Sequence, residues 1–104
     1  MKLQIIATAA GIFAVLIHST AIAQKVDAEL AKSEAKERGC LNCHDIDKKK
    51  VGPAFQESAA KFKGKSPADL AASVKSKPTH AGALQKTSDK DLNLIARWIL
   101  TLGR

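Results

Sequence analysis

The chain is 104 residues long and carries 17 lysines and arginines against 10 acids, a formal net charge of +7. That length holds one domain, and so small a domain buries too little apolar surface to do without a staple, the more so with three phenylalanines, one tryptophan and no tyrosine. The two cysteines stand three positions apart, where a disulfide closes only a trivial loop, so a cofactor is the expected staple.

In chain order, Lys2 leads into an apolar run that continues through Ile17, and His18-Ser19-Thr20 closes it. Ala21-Ile22-Ala23 then supplies a small-x-small cleavage site, so residues 1–23 have the layout of a secretory signal peptide and residues 24–104 form the mature domain. The apolar run falls short of the roughly 20 residues an uncleaved anchor would need to span a bilayer, and no other stretch is long or apolar enough, so stable membrane insertion after cleavage is not expected. The basic charge favours acidic partners, and export to the periplasm argues against nucleic acid.

Asp27 suits an N-cap and Gly39 a left-handed C-terminal position, predicting a first helix between them with Leu30, Ala31 and Ala35 as its apolar stripe. Leu41 to Val51 lacks periodicity and ends in Gly52-Pro53, which predicts a loop. Phe55, Ala59 and Phe62 share one face of a short helix from about Pro53 to Phe62, stopped by Gly64. Ser66-Pro67-Ala68-Asp69 opens a third helix with Leu70 and Val74 facing inward, ending before Pro78. Ser88 and Asp91 are spaced as a capping box, and Leu92, Ile95, Ala96, Ile99 and Leu100 form a strong stripe running to Gly103. No segment alternates with period two, so the fold class is all-α.

Cys40-Leu41-Asn42-Cys43-His44 is a C-x-x-C-H run, the attachment signature of a c-type haem. Two intervening residues let both sulfurs reach vinyl groups on one porphyrin edge, and the next residue can offer an imidazole to the iron. Three other uses of the cysteines are weaker. A redox dithiol belongs beside a βαβ pattern, which is absent. Zinc wants four ligands in separated pairs, and adjacent Cys43 and His44 reach one tetrahedral ion poorly. Two plain buried cysteines leave the run without a role. One covalent haem c is therefore expected, cofactor to Cys40, Cys43 and His44.

These residues make the chain resemble the short monohaem class I cytochromes c of bacteria. The resemblance extends over nearly all of positions 24–104: the first helix and its C-x-x-C-H, Val51-Gly52-Pro53-Ala54, and the closing helix with Leu94-Ile95-Ala96-Arg97-Trp98-Ile99-Leu100. It implies about four helices wrapped around one covalent haem, with Leu30 and Ala31 packed against Ile95 and Trp98. It also implies that the Pro53 carbonyl accepts from the second nitrogen of His44, fixing the tautomer. The function it implies is electron transfer to redox partners, not catalysis.

The chain departs from that family at the sixth ligand. The usual axial methionine is missing, since Met1 is the only methionine, and the stretch between Val74 and Ser88 is short. Of the three histidines, His18 belongs to the leader and His44 to the motif, so His80 is the candidate, 18 residues before Trp98. Pro78 stiffens its loop and Gly82 lets it turn away. Lys75 or Lys77 as ligand, or an open iron, are the competing readings. An open iron would suit gas binding or peroxide reduction, and a further possibility is an electron-accepting cytochrome subunit of a larger dehydrogenase. Lys48, Lys49, Lys50, Lys61, Lys63, Lys65, Lys75 and Lys77 form a basic rim suited to an acidic docking surface on a redox partner of a monomeric carrier, or else a merely solvated surface.

Overall fold

The structure is a computed structural model that describes residues 17–103, with side chains from Asp27 onward. Among the described residues it is helical throughout: α1 (Ile17–Glu37), α2 (Phe55–Lys61), α3 (Pro67–Lys75), the single turn α4 (Ala81–Leu84) and α5 (Asp89–Thr101). Short 3-10 turns cover Cys40–Asn42 and Pro78–His80. None of these helices is long and apolar enough to cross a membrane.

α1 runs without a break through positions 23 and 27, so Asp27 is not its N-cap. Ala21-Ile22-Ala23-Gln24-Lys25-Val26 holds neither glycine nor proline, and nothing in the uncut chain stops the helix there. The first 16 residues of the expected leader, positions 1–16, lie outside the described residues. Gly39 ends this part of the chain as expected, with φ of 87° and its N–H donating to the Lys36 carbonyl at 3.2 Å.

The face that α1 turns inward is made of alanines. Ala31 and Ala35 are 0% exposed and Ala28 packs beside them, whereas Leu30, expected in the core, is 48% exposed. Small side chains let α1 approach α5 closely, and Leu30 points off that contact line. Arg38 clamps the same pair of helices: its Nη2 lies 3.1 Å from Glu34 Oε2 and 3.5 Å from Asp91 Oδ2.

α5 packs against α1, α2 and α3 and buries Leu92, Ile95, Ala96, Trp98 and Ile99. Burying a side chain of this kind stabilises by about 1.5 to 3 kcal/mol, so this helix organises the core. Its cap is half of the expected box. Ser88 Oγ accepts from the Asp91 N–H at 3.1 Å, but the Asp91 carboxylate faces Arg38. In α3 both halves form between Ser66 and Asp69, with Leu70 buried and Val74 half-buried.

α2 starts at Phe55, two residues later than expected, because Ala54 is extended and serves as its N-cap. Beyond the end of α5, Gly103 meets α2 so closely that a Cβ there would sit 3.0 Å from Ala59 Cβ. Gly82 also differs from expectation. It lies inside α4, not at a turn, so the chain after His80 coils into helix instead of looping away.

Candidate functional site

The C-x-x-C-H run is folded into one tight turn. The Cys43 and His44 N–H groups both donate to the Cys40 carbonyl, at 3.3 and 3.0 Å, and Asn42 N–H donates to Gly39. Cys40 is half-buried and Cys43 exposed. Burial pushes the Cys40 thiol up from its ordinary value, against a smaller lowering by its backbone hydrogen bond.

His44 is held on three sides. Its Nδ1 lies 2.6 Å from the Pro53 carbonyl, the contact expected from the Gly-Pro pair. Its ring stacks on Phe55 at 5.1 Å between centroids and 21° between planes. Gly52 closes the remaining side, where a Cβ would lie 2.8 Å from Nδ1 and 2.9 Å from Nε2 and would collide with Cε1. Only a glycine leaves room for the imidazole. Gly52 is itself fixed, donating to the Cys43 carbonyl at 2.7 Å and accepting from Lys50 N–H at 3.1 Å.

His80 arrives from the far side of the sequence. The centroid of its ring stands 6.1 Å from that of His44, with 37° between planes. Its Nδ1 lies 2.8 Å from the Val74 carbonyl near the end of α3. Each imidazole thus engages a backbone carbonyl through Nδ1, which leaves the Nε2 of each as the nitrogen available to a metal. The Val74 contact has no sequence signature, since any residue offers a carbonyl. Neither Phe55, read only as core, nor Gly52, read only as part of a Gly-Pro pair, was expected to pack on His44.

Lys75 and Lys77, the competing amines, are engaged elsewhere. Lys75 Nζ lies 2.6 Å from Asp89 Oδ1, and Lys77 Nζ donates to Ser73 Oγ at 3.1 Å. The rest of the lysine rim is mixed. Lys50 reaches the Leu41 carbonyl at 3.2 Å and Lys65 lies 5.6 Å over the Phe62 ring, while Lys48, Lys49, Lys61 and Lys63 are exposed with no side-chain hydrogen bond or ion pair among the described residues.

A donor set of two thiols on one turn and an oriented imidazole in a glycine-lined notch fits a covalently attached haem. Comparisons with known proteins agree. Cytochrome c-551 of Pseudomonas aeruginosa is 32% identical over 97 residues, covering 86% of this chain and 93% of that protein. Cytochrome c-552 of Hydrogenobacter thermophilus is 35% identical over 75 residues, covering 65% of this chain and 76% of that protein. Among solved structures, the class 1 cytochrome MtoD of Sideroxydans lithotrophicus ES-1 superposes with a TM-score of 0.62 at 35% identity, over 76% of this chain and 97% of that one. No protein-family model matches the chain. The chain belongs to the small monohaem class I cytochromes c, electron-transfer proteins with one covalently bound haem c.

Proposed function

We propose that this cytochrome is an exported, periplasmic electron carrier in which Cys40 and Cys43 hold the haem and His44 and His80 are its two axial ligands. When bound, the haem supplies a one-electron ferric/ferrous couple. The chain's own residues orient and enclose it. Pro53 and Val74 carbonyls fix the two imidazole tautomers, and Gly52 gives His44 its room.

The 6.1 Å between the His44 and His80 rings carries this reading. Two imidazoles sharing one metal need two metal–nitrogen bonds of about 2 Å, plus roughly 1 Å from each nitrogen to its ring centre, a total near 6 Å. The ion pair on Lys75 and the hydrogen bond on Lys77 favour neither amine as a substitute. Residues 1–23 act as the removed leader in this reading, and the mature domain is a monomer. The exposed Lys48, Lys49, Lys61 and Lys63 steer an acidic docking surface on a redox partner.

The test is the absorption spectrum of the oxidised and reduced protein with and without carbon monoxide. Wild type should be low-spin, lack a methionine-to-iron band and bind carbon monoxide poorly, whereas His80→Ala should bind it readily. His80→Met should raise the reduction potential, because imidazole favours ferric iron relative to a thioether. Ready binding by the wild type, or a His80→Ala spectrum that stays low-spin and unchanged, overturns the ligand assignment and favours an open-site haem protein.

A further inference from the structure

The packing around His44 continues past the ring itself. Phe55 stacks on the imidazole at 5.1 Å, and Trp98 meets Phe55 edge-on, at 5.7 Å and 77°. Phe55 and Trp98 are 4% and 7% exposed, so neither ring can swing into solvent. The Pro53 carbonyl restrains the imidazole at a single atom, Nδ1, and permits the ring plane to tilt about that contact. A face-on aromatic, itself wedged by a perpendicular one, removes the tilt.

The orientation of an imidazole plane matters for a metal because it sets how the ring's π orbitals overlap the metal's. Contacts beyond the ligand itself hold that orientation and tune the metal. We infer that Phe55 is a positioning residue for electron transfer: stacked on His44 and braced by Trp98, it sets the plane of the proximal imidazole and with it the electronic state of the iron. The inference rests on His44 as an axial ligand.

A purely structural Phe55 would cost stability when altered and leave the iron unchanged. The holoprotein is prepared as wild type, Phe55→Tyr, Phe55→Leu and Trp98→Phe. The readouts are the denaturant midpoint, the reduction potential, and the paramagnetically shifted haem-methyl proton resonances of the ferric form. The order and spread of those resonances follow the axial imidazole planes. Phe55→Leu should reorder or compress the methyl shifts and move the potential, and Phe55→Tyr should restore both. Trp98→Phe keeps an aromatic brace of smaller reach and should move the same observables in the same direction by less.

Near-infrared magnetic circular dichroism of the same samples identifies the axial pair. A spectrum without two nitrogen ligands removes the His80 assignment while leaving the Phe55 comparison intact. If Phe55→Leu and Trp98→Phe lower the denaturant midpoint but leave methyl shifts and potential at wild-type values, Phe55 is core and nothing more. Should Phe55→Leu fail to fold, Trp98→Phe decides by the same two observables.

Discussion

Replacing Gly52 with alanine tests the proximal side of the site most directly. The φ of Gly52 lies outside the left-handed region, so an alanine can adopt its backbone and the whole cost is steric. The added methyl would lie 2.8 Å from His44 Nδ1 and 2.9 Å from Nε2, distances that force something to move. The backbone cannot yield cheaply, because Gly52 is hydrogen-bonded to Cys43 at 2.7 Å and to Lys50 at 3.1 Å. The ring must therefore shift, away from the Pro53 carbonyl at 2.6 Å and against Phe55. Overpacking of this kind costs about 1 to 3 kcal/mol, and a lost hydrogen bond adds about 1 kcal/mol, a total of roughly 2 to 4 kcal/mol.

Gly64→Ala is the matched control. Gly64 has φ of 80°, and a methyl added there would meet nothing within 4 Å, so its penalty is conformational alone, about 1 to 2 kcal/mol. Guanidinium unfolding of the two holoproteins should rank Gly52→Ala below Gly64→Ala in stability. The Soret band and reduction potential should move in Gly52→Ala and stay put in Gly64→Ala. A Gly52→Ala protein with wild-type midpoint, spectrum and potential refutes the notch around His44.

Three further outcomes are expected. Wild-type mature protein should exceed its polypeptide mass by one haem that survives acid-acetone extraction, and replacing both Cys40 and Cys43 with serine should leave a largely unfolded chain, measured by mass spectrometry and circular dichroism. If the exposed lysines steer docking, the rate of reaction with an acidic redox partner should fall steeply with salt, since charges are screened beyond about 8 to 10 Å, and Lys48→Glu with Lys49→Glu should flatten that profile; a salt-independent wild-type rate removes the steering. The Asp69 carboxyl is held below its ordinary value of 3.8, first by the Ser66 backbone N–H and then by the Ser66 hydroxyl. A lowered folded value means that its stabilisation is complete above that pH and is lost as the pH falls through the lower folded value. The stability difference between wild type and Asp69→Asn should therefore shrink below pH 3.8, and a constant difference contradicts it.

Interactions that close within a few residues were readable from the chain itself. The C-x-x-C-H run, the Ser66 N-cap, the left-handed Gly39 and the apolar stripe of α5 each depend on spacing along one segment, and each is present in the fold, whereas the capping box expected at Ser88 and Asp91 forms only its Ser88 half. His80 could be singled out by counting histidines, and the Pro53 contact followed from resemblance. Tertiary structure decided the rest. Close helix packing selected Ala28, Ala31 and Ala35 for the α1 contact and left the more hydrophobic Leu30 in solvent, because backbone approach rewards small side chains over apolar ones. It also brought the His80 ring to 6.1 Å from His44 and placed the Val74 carbonyl against it. Nothing in the identity of Val74 announces an acceptor, since every residue carries a carbonyl and only the fold determines which one faces an imidazole.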